Sequence, residues 1–174
     1  MKGLLHPPLV HFAVVLPIVA LAFQIAYMIT KNEAHSVYAA RILAVGAIMM
    51  VAVWYTGGLE GKDAYPLLDA EGKKELLAHK AYGMYVMITT LVITVIKFIS
   101  CKMKSTALEA GSLLLMLSLV GMVGYQGSLG GDVVYEHGGN VKTTEMLKEC
   151  KAEIEEAAMM SDDDEDEDED EDEE

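Results

Sequence analysis

Basic charge and cysteine are both scarce in this chain, and so are the common catalytic motifs. Lys and Arg number 13 against 27 Asp and Glu, a formal net charge of -14. Nucleic acid rewards cations that neutralise phosphates, so it is excluded as the main partner. The two cysteines, Cys101 and Cys150, show no CxxC or Cys/His spacing, which excludes a disulfide scaffold or zinc ribbon. No Ser/His/Asp arrangement, phosphate-cradling glycine loop or HExxH is present. An electron-transfer or metal-binding protein is therefore expected rather than an enzyme with its own substrate. A signal-peptide cleavage pattern is missing too, and the first apolar stretch is too long for a signal peptide's core.

What is abundant is hydrophobic residues, 52% of the chain. The acidity has one source, the thirteen consecutive acids at 162–174. Removing them from 27 leaves fourteen acids against 13 Lys and Arg, a nearly neutral apolar body. A spanning helix needs about 20 mostly apolar residues, because only internally hydrogen-bonded backbone tolerates hydrocarbon. Four segments qualify, at about 8–29, 37–57, 79–99 and 107–127. Arg41 sits near the start of the second span, where a long side chain can snorkel to the interface; Lys97 lies near the end of the third and Glu109 near the start of the fourth.

The short connections 31–36 and 100–106 make antiparallel hairpins of the first two and last two helices. Their side is face B. The longer connection 58–78 lies on face A with both termini, and Asp69 there is a helix N-cap candidate. Pro7 and Pro8 suit a helix start, and Pro17 predicts a kink. No internal repeat is legible. The expectation is an all-α, integral membrane, antiparallel four-helix bundle over 1–141. A short surface helix follows at 142–160, then a disordered polyacidic tail at 161–174. Cys101 and Cys150 fall on opposite faces, so they do not pair. Five basic residues crowd the two short face B loops; short loops carry the most weight in the positive-inside rule. That gives an inner-membrane protein with both termini periplasmic.

Of the five histidines, His6, His11, His79 and His137 share face A, and only His35 is on face B. Ionisable groups at membrane depth are costly and mark function, and imidazole ligates haem iron and transition metals. His11 and His79 fall on different helices at similar depth, the arrangement that bis-histidine haem needs, so they are the first-choice axial pair. His6 and His137 would contact propionates or tune the iron. Gly83, one turn after His79, would leave room for the macrocycle. Trp54, Tyr55, Tyr82, Tyr85, Tyr125 and Tyr135 lie on the same side. Plainer readings exist: interfacial histidines, an aromatic belt, Met as core filler, and helix-four glycines that serve packing. The string GSLGGDVVYEHGGNV at 127–141 ends the fourth span, turns on its glycines and carries Tyr135 and His137 over the bundle mouth.

These strings carry a resemblance. His6-Pro-Pro-Leu-Val-His11-Phe12 resembles the HPxxVHFP opening of a bacterial family of four-helix membrane proteins, domain of unknown function 2231. Gly130-Gly-Asp-Val-Val-Tyr-Glu-His137-Gly138 resembles its GGxLVYxHG ending, and His79 and Gly58 fit its middle pattern. The resemblance covers about residues 3–141. Departures are Ala13 in place of proline, Glu60 in place of aspartate, and Gly138-Gly-Asn-Val141 in place of GVGV. The first and third alter pocket shape; the second keeps the charge. The resemblance implies fold and topology, with a haem or redox role as an inference.

The leading expectation is thus a b-type haem electron-transfer protein. The alternatives are a single Cu, Zn or Fe ion held by the same histidines, or a non-catalytic subunit of a membrane complex. The acidic tail would attract a basic partner such as a c-type cytochrome, or bind divalent cations loosely. The bundle would act alone, as a dimer or in a complex.

Overall fold

A computed structural model describes residues 5–139, 141, 146–147 and 149–155. Four helices dominate: α1 (His6–Thr30), α2 (Glu33–Ala64), α3 (Ala70–Met103) and α4 (Thr106–Tyr135), with a short 3-10 turn, Tyr65–Leu67, between α2 and α3. All four are long and apolar enough to cross a membrane, so the chain is an all-α, multi-pass membrane protein and the lipid bilayer is its environment. Each helix packs on its chain neighbours, and α1 against α4 closes the ring. Residues 146–147 and 149–155 are helical, within the expected surface helix. The polyacidic tail at 161–174 lies outside the described residues.

The local signals for each helix act as their chemistry requires. Pro7 and Pro8 open α1, where a missing N–H costs nothing. Asn32, Asp69 and Ser105 cap α2, α3 and α4, each accepting a backbone N–H of the first turn. Lys31 and Lys104 end α1 and α3 in the left-handed conformation, φ 56° and 51°. Removing the Asn32 cap, whose side chain accepts from Ala34 N at 3.0 Å, in Asn32→Ala is expected to cost about 1 kcal/mol. Thermal unfolding in detergent reads that loss.

Two boundaries differ from expectation. The second span was placed to Gly57 and the fourth to Gly127, where glycines and charges resume. Both helices run on, to Ala64 and Tyr135. The glycines at 127–131 therefore lie inside α4 and do not turn the chain. Gly130, like Gly57 in α2, receives a side chain from a neighbouring helix. Beyond Tyr135 the chain turns at Gly138, φ 63°, which glycine adopts without steric cost; Gly139 N then donates to Val133 O at 2.8 Å. At 1.5 Å per residue, α3 is about 51 Å long against about 30 Å of hydrocarbon. The first turns of α3 and last turns of α2 thus project beyond the membrane on face A.

The structure also reveals a duplication that the sequence hides. His79 follows His6 by 73 positions, as Lys104 follows Lys31, Ser105 follows Asn32, and Gly130 follows Gly57. The same offset carries every buried residue of α1 (Ala13, Pro17, Ala20, Leu21, Gln24) onto a buried residue of α3 (Val86, Thr90, Ile93, Thr94, Lys97). It also carries Ser36, Ala39, Leu43 and Met50 of α2 onto Glu109, Ser112, Met116 and Val123 of α4. The bundle is two copies of one helical hairpin about a pseudo-two-fold axis. Few identities survive between the halves, so repetition shows in position and burial rather than in residue type.

Around that axis the middle of the bundle is apolar. Leu21, Leu43, Val86, Ile93, Met116 and Leu119 belong to one buried cluster. Gly46 brings α2 close to α1: a Cβ there would meet Leu16 Cβ at 3.3 Å and Pro17 Cδ at 3.6 Å. The glycines of α4 expected to serve packing do not do so within this chain. At Gly111, Gly121, Gly124 and Gly127 an added Cβ would meet nothing within 4 Å.

Candidate functional site

Toward face A the four helices part around a cavity of about 580 Å³. Its wall follows the duplication. His6, Val10 and Ala13 on α1 answer to His79, Gly83 and Val86 on α3; Met50, Val53 and Gly57 on α2 answer to Val123, Gln126 and Gly130 on α4. All twelve line the cavity, which therefore straddles the pseudo-two-fold axis. The wall is mostly apolar, and its volume is that of a site for a drug- or cofactor-sized ligand.

Two of the histidines are seated alike. His6 lies against Gly57, where an added Cβ would stand 2.6 Å from the ring's Cε1. His79 lies against Gly130, where it would stand 2.8 Å from Cε1. Each imidazole of an odd-numbered helix occupies the space of a side chain missing from the next helix. The His6 ring is oriented further. Its Nδ1 donates to the Val53 carbonyl at 3.0 Å, because a carbonyl only accepts. That puts a proton on Nδ1, so in the neutral ring Nε2 carries the lone pair. The backbone N–H of His6 donates to Glu60 Oε1 at 3.0 Å.

At His79 the neighbour is Gln126. Its Nε2 donates to the His79 carbonyl at 3.0 Å and lies 3.1 and 3.3 Å from the two ring nitrogens. The same amide fills the space beside Gly83, where an added Cβ would meet Gln126 Nε2 at 2.9 Å. The room expected there for a macrocycle is thus held by a side chain. Gln126 Oε1 is shielded from solvent without a hydrogen-bond partner, an unsatisfied acceptor on a residue that lines the cavity.

The other candidates sit elsewhere. His11 lines the cavity but is exposed, with Nδ1 donating to Pro7 O of its own helix at 2.8 Å. Tyr135 is 88% exposed. His137 does not cap His11 and His79; it packs on Gly72 at the start of α3, between Asp69 and Glu75. Trp54, Tyr55 and Tyr85 are exposed, while Tyr82 and Tyr125 meet edge to face. The glycine seats at Gly57, Gly72 and Gly130 were missed from sequence; pairing each histidine with a glycine one hairpin away would have suggested two of them.

A second polar centre lies at the other end of the bundle, also on the axis. Lys97 and Glu109, near span ends in the sequence, are 0% and 1% exposed and paired at 2.5 Å. Ser36 donates to Glu109 Oε1 at 2.7 Å, and Gln24 Nε2 to Oε2 at 2.8 Å. Lys97 Nζ also donates to Ser36 Oγ at 2.7 Å and stands 5.8 Å from the Tyr27 ring centroid. Each helix contributes one residue, and the offset relates Gln24 to Lys97 and Ser36 to Glu109. Between this centre and the cavity lie the hydrophobic cluster and the buried hydroxyls of Thr90 and Thr94 on α3, which donate to Val86 O and Thr90 O.

A family model described as a predicted membrane protein, domain of unknown function 2231, matches residues 4–143. Neither the curated proteins nor the solved structures contain a match.

Proposed function

The chain belongs to that family of membrane proteins, and we propose that it is a membrane-embedded redox protein holding one b-type haem in the face A cavity. The observation that carries this reading is the seating of His6 and His79. Two imidazoles related by a pseudo-two-fold axis, each set in a glycine notch, flank one apolar cavity of about 580 Å³. His6 and His79, one from each hairpin, would hold the iron of the haem between them. The residues present suit such a group. His6 offers an Nε2 lone pair, the Gln126 oxygen lacks a partner, and the apolar wall would exclude water. When bound, haem supplies one-electron transfer; the chain's part is to hold the rings and keep the pocket dry.

Pairing His6 with His79 is favoured over pairing His11 with His79. His11 is exposed, and the position equivalent to it in α3 is Met84. Gln126 must move off His79 for its ring to ligate. The polyacidic tail at 162–174 would raise the encounter rate of a basic electron carrier such as a c-type cytochrome, and an orientation with face A periplasmic would present it there.

A reduced-minus-oxidised absorption spectrum of the detergent-purified protein, expressed with haem precursor, tests the reading. The expected result is a b-type Soret and α-band pair at about one haem per chain. His6→Ala and His79→Ala should each abolish the low-spin signature, and His11→Ala should retain it. A flat spectrum from well-folded protein would sink the proposal.

A further inference from the structure

At the mouth of the bundle, outside the duplicated core, a second set of ligand-type side chains converges. Asp69 caps α3 through Oδ1, which accepts Gly72 N at 2.8 Å, and the same oxygen lies 3.2 Å from His137 Nδ1. On the far side of the ring, His137 Nε2 lies 3.1 Å from Glu75 Oε2. Glu136, at the end of α4, completes a group with Glu75 and His137 whose ligand atoms all lie within 4.8 Å of one another. None of these three residues lines the face A cavity, so the group is separate from the haem reading.

The chemistry between His137 and Glu75 is unfinished. His137 Nδ1 faces Asp69, and its Nε2 faces a Glu75 carboxylate oxygen. Both atoms are shielded from solvent, and the two do not align as a hydrogen bond despite their closeness. Two such donors at this separation call for a cation between them. Metal–ligand bonds of about 2.0–2.2 Å, meeting near the tetrahedral angle, set two ligand atoms about 3.3–3.6 Å apart, close to the 3.1 Å found between His137 Nε2 and Glu75 Oε2. They also put each ligand off the other's lone-pair direction. A carboxylate holding the distal nitrogen of a ligand histidine is a recurrent support that fixes its tautomer and raises its basicity. The C-terminal end of α4, beside Glu136, adds the negative end of a helix dipole.

We propose that Glu75, Glu136 and His137 form a binding site for one divalent transition-metal ion. One imidazole and two carboxylates suit Zn²⁺ first, with a fourth position open to water. The site ties the end of α4 to the start of α3, closing the second hairpin where it projects beyond the membrane.

The test uses the full chain in detergent, stripped by chelator and titrated with Zn²⁺, and with Co²⁺ as a coloured probe. Binding of about one ion per chain is expected, with Co²⁺ bands that report nitrogen ligation. Glu136→Gln and His137→Ala should each weaken it by at least about tenfold. Asp69→Asn should weaken it about 10–100-fold while keeping the helix cap, since Asn caps as well as Asp. Loose binding by the polyacidic tail would be common to all four proteins and cancels in the comparison. If His137→Ala does not fold, the exposed Glu136→Gln position decides. Superimposable isotherms and Co²⁺ spectra for wild type and Glu136→Gln would overturn the site and leave His137 an imidazolium held between two carboxylates.

Discussion

Lys97→Ala is expected to destabilise the bundle by about 3–5 kcal/mol, the range for breaking a buried ion pair by removing one partner. The loss comes from what remains. Glu109 would keep Ser36 and Gln24 as donors but would sit as an uncompensated carboxylate at 1% exposure, or take up a proton to avoid it. Glu109→Ala should cost a similar amount by stranding the ammonium. The double variant Lys97→Met/Glu109→Leu should recover most of either loss, because apolar side chains of similar volume replace buried pairs at little cost. Unfolding of the detergent-solubilised protein by a denaturing detergent reads all three. A loss below about 1 kcal/mol for Lys97→Ala would place the pair with weak surface bridges and contradict its burial. A double variant worse than both singles would show that the centre cannot be replaced by packing alone.

Two of the glycine seats should respond in distinct ways. At Gly72 an added Cβ would stand 2.8 Å from both Cβ and Cγ of His137 and 2.9 Å from Asp69 Oδ1. Those atoms are close to the backbone or hold the helix cap, so they cannot swing aside. Gly72→Ala is therefore expected to cost about 1–3 kcal/mol as overpacking and to loosen the α3–α4 junction. At Gly130 the added Cβ meets the far end of the His79 ring, Cε1 at 2.8 Å and Nδ1 at 3.3 Å. A ring end can rotate, and alanine gains about 1 kcal/mol of helix propensity over glycine. Gly130→Ala should thus leave stability nearly unchanged while moving the imidazole, and on the haem reading it should lose or shift the low-spin spectrum. Equal thermal profiles for Gly72→Ala and wild type would contradict the first expectation. A spectrum in Gly130→Ala identical to wild type would remove His79 from the iron.

Much of the fold was legible because hydrocarbon imposes a simple rule: twenty apolar residues must be a helix. The caps at Asp69 and the proline start of α1 were legible for the same local reason. The ends of α2 and α4 were not, because a glycine within a helix looks like a stop until the side chain that fills its place is known. The ion pair was hidden in another way. Lys97 and Glu109 near span ends look like residues that reach for water, and nothing local tells that Gln24 and Ser36, far earlier in the chain, close around them. The duplication was hidden by divergence: at the polar centre a glutamine answers to a lysine and a serine to a glutamate. Of the candidate site, the grouping of histidines on face A was legible. Both His6 and His11 line the cavity, but which of them is seated against a neighbouring helix depends on helix rotation, and one-letter spacing did not resolve the two.

The distribution of charge between the two hairpins bears on how the protein enters the bilayer as it is made. Lys97 and Glu109 lie on the two arms of one hairpin, twelve positions apart across its turn. Gln24 and Ser36, from the other hairpin, contribute only neutral groups. Neither hairpin therefore has to carry an unmatched charge through lipid. The first can insert with no buried charge, its Arg41 exposed near a span end where it can snorkel, around its polar amide and hydroxyl. The second can enter with its cation and anion already neutralising each other. Assembly then asks only that two electrically silent units find one another sideways in the membrane, with hydrogen bonds from the first completing the shell around the second.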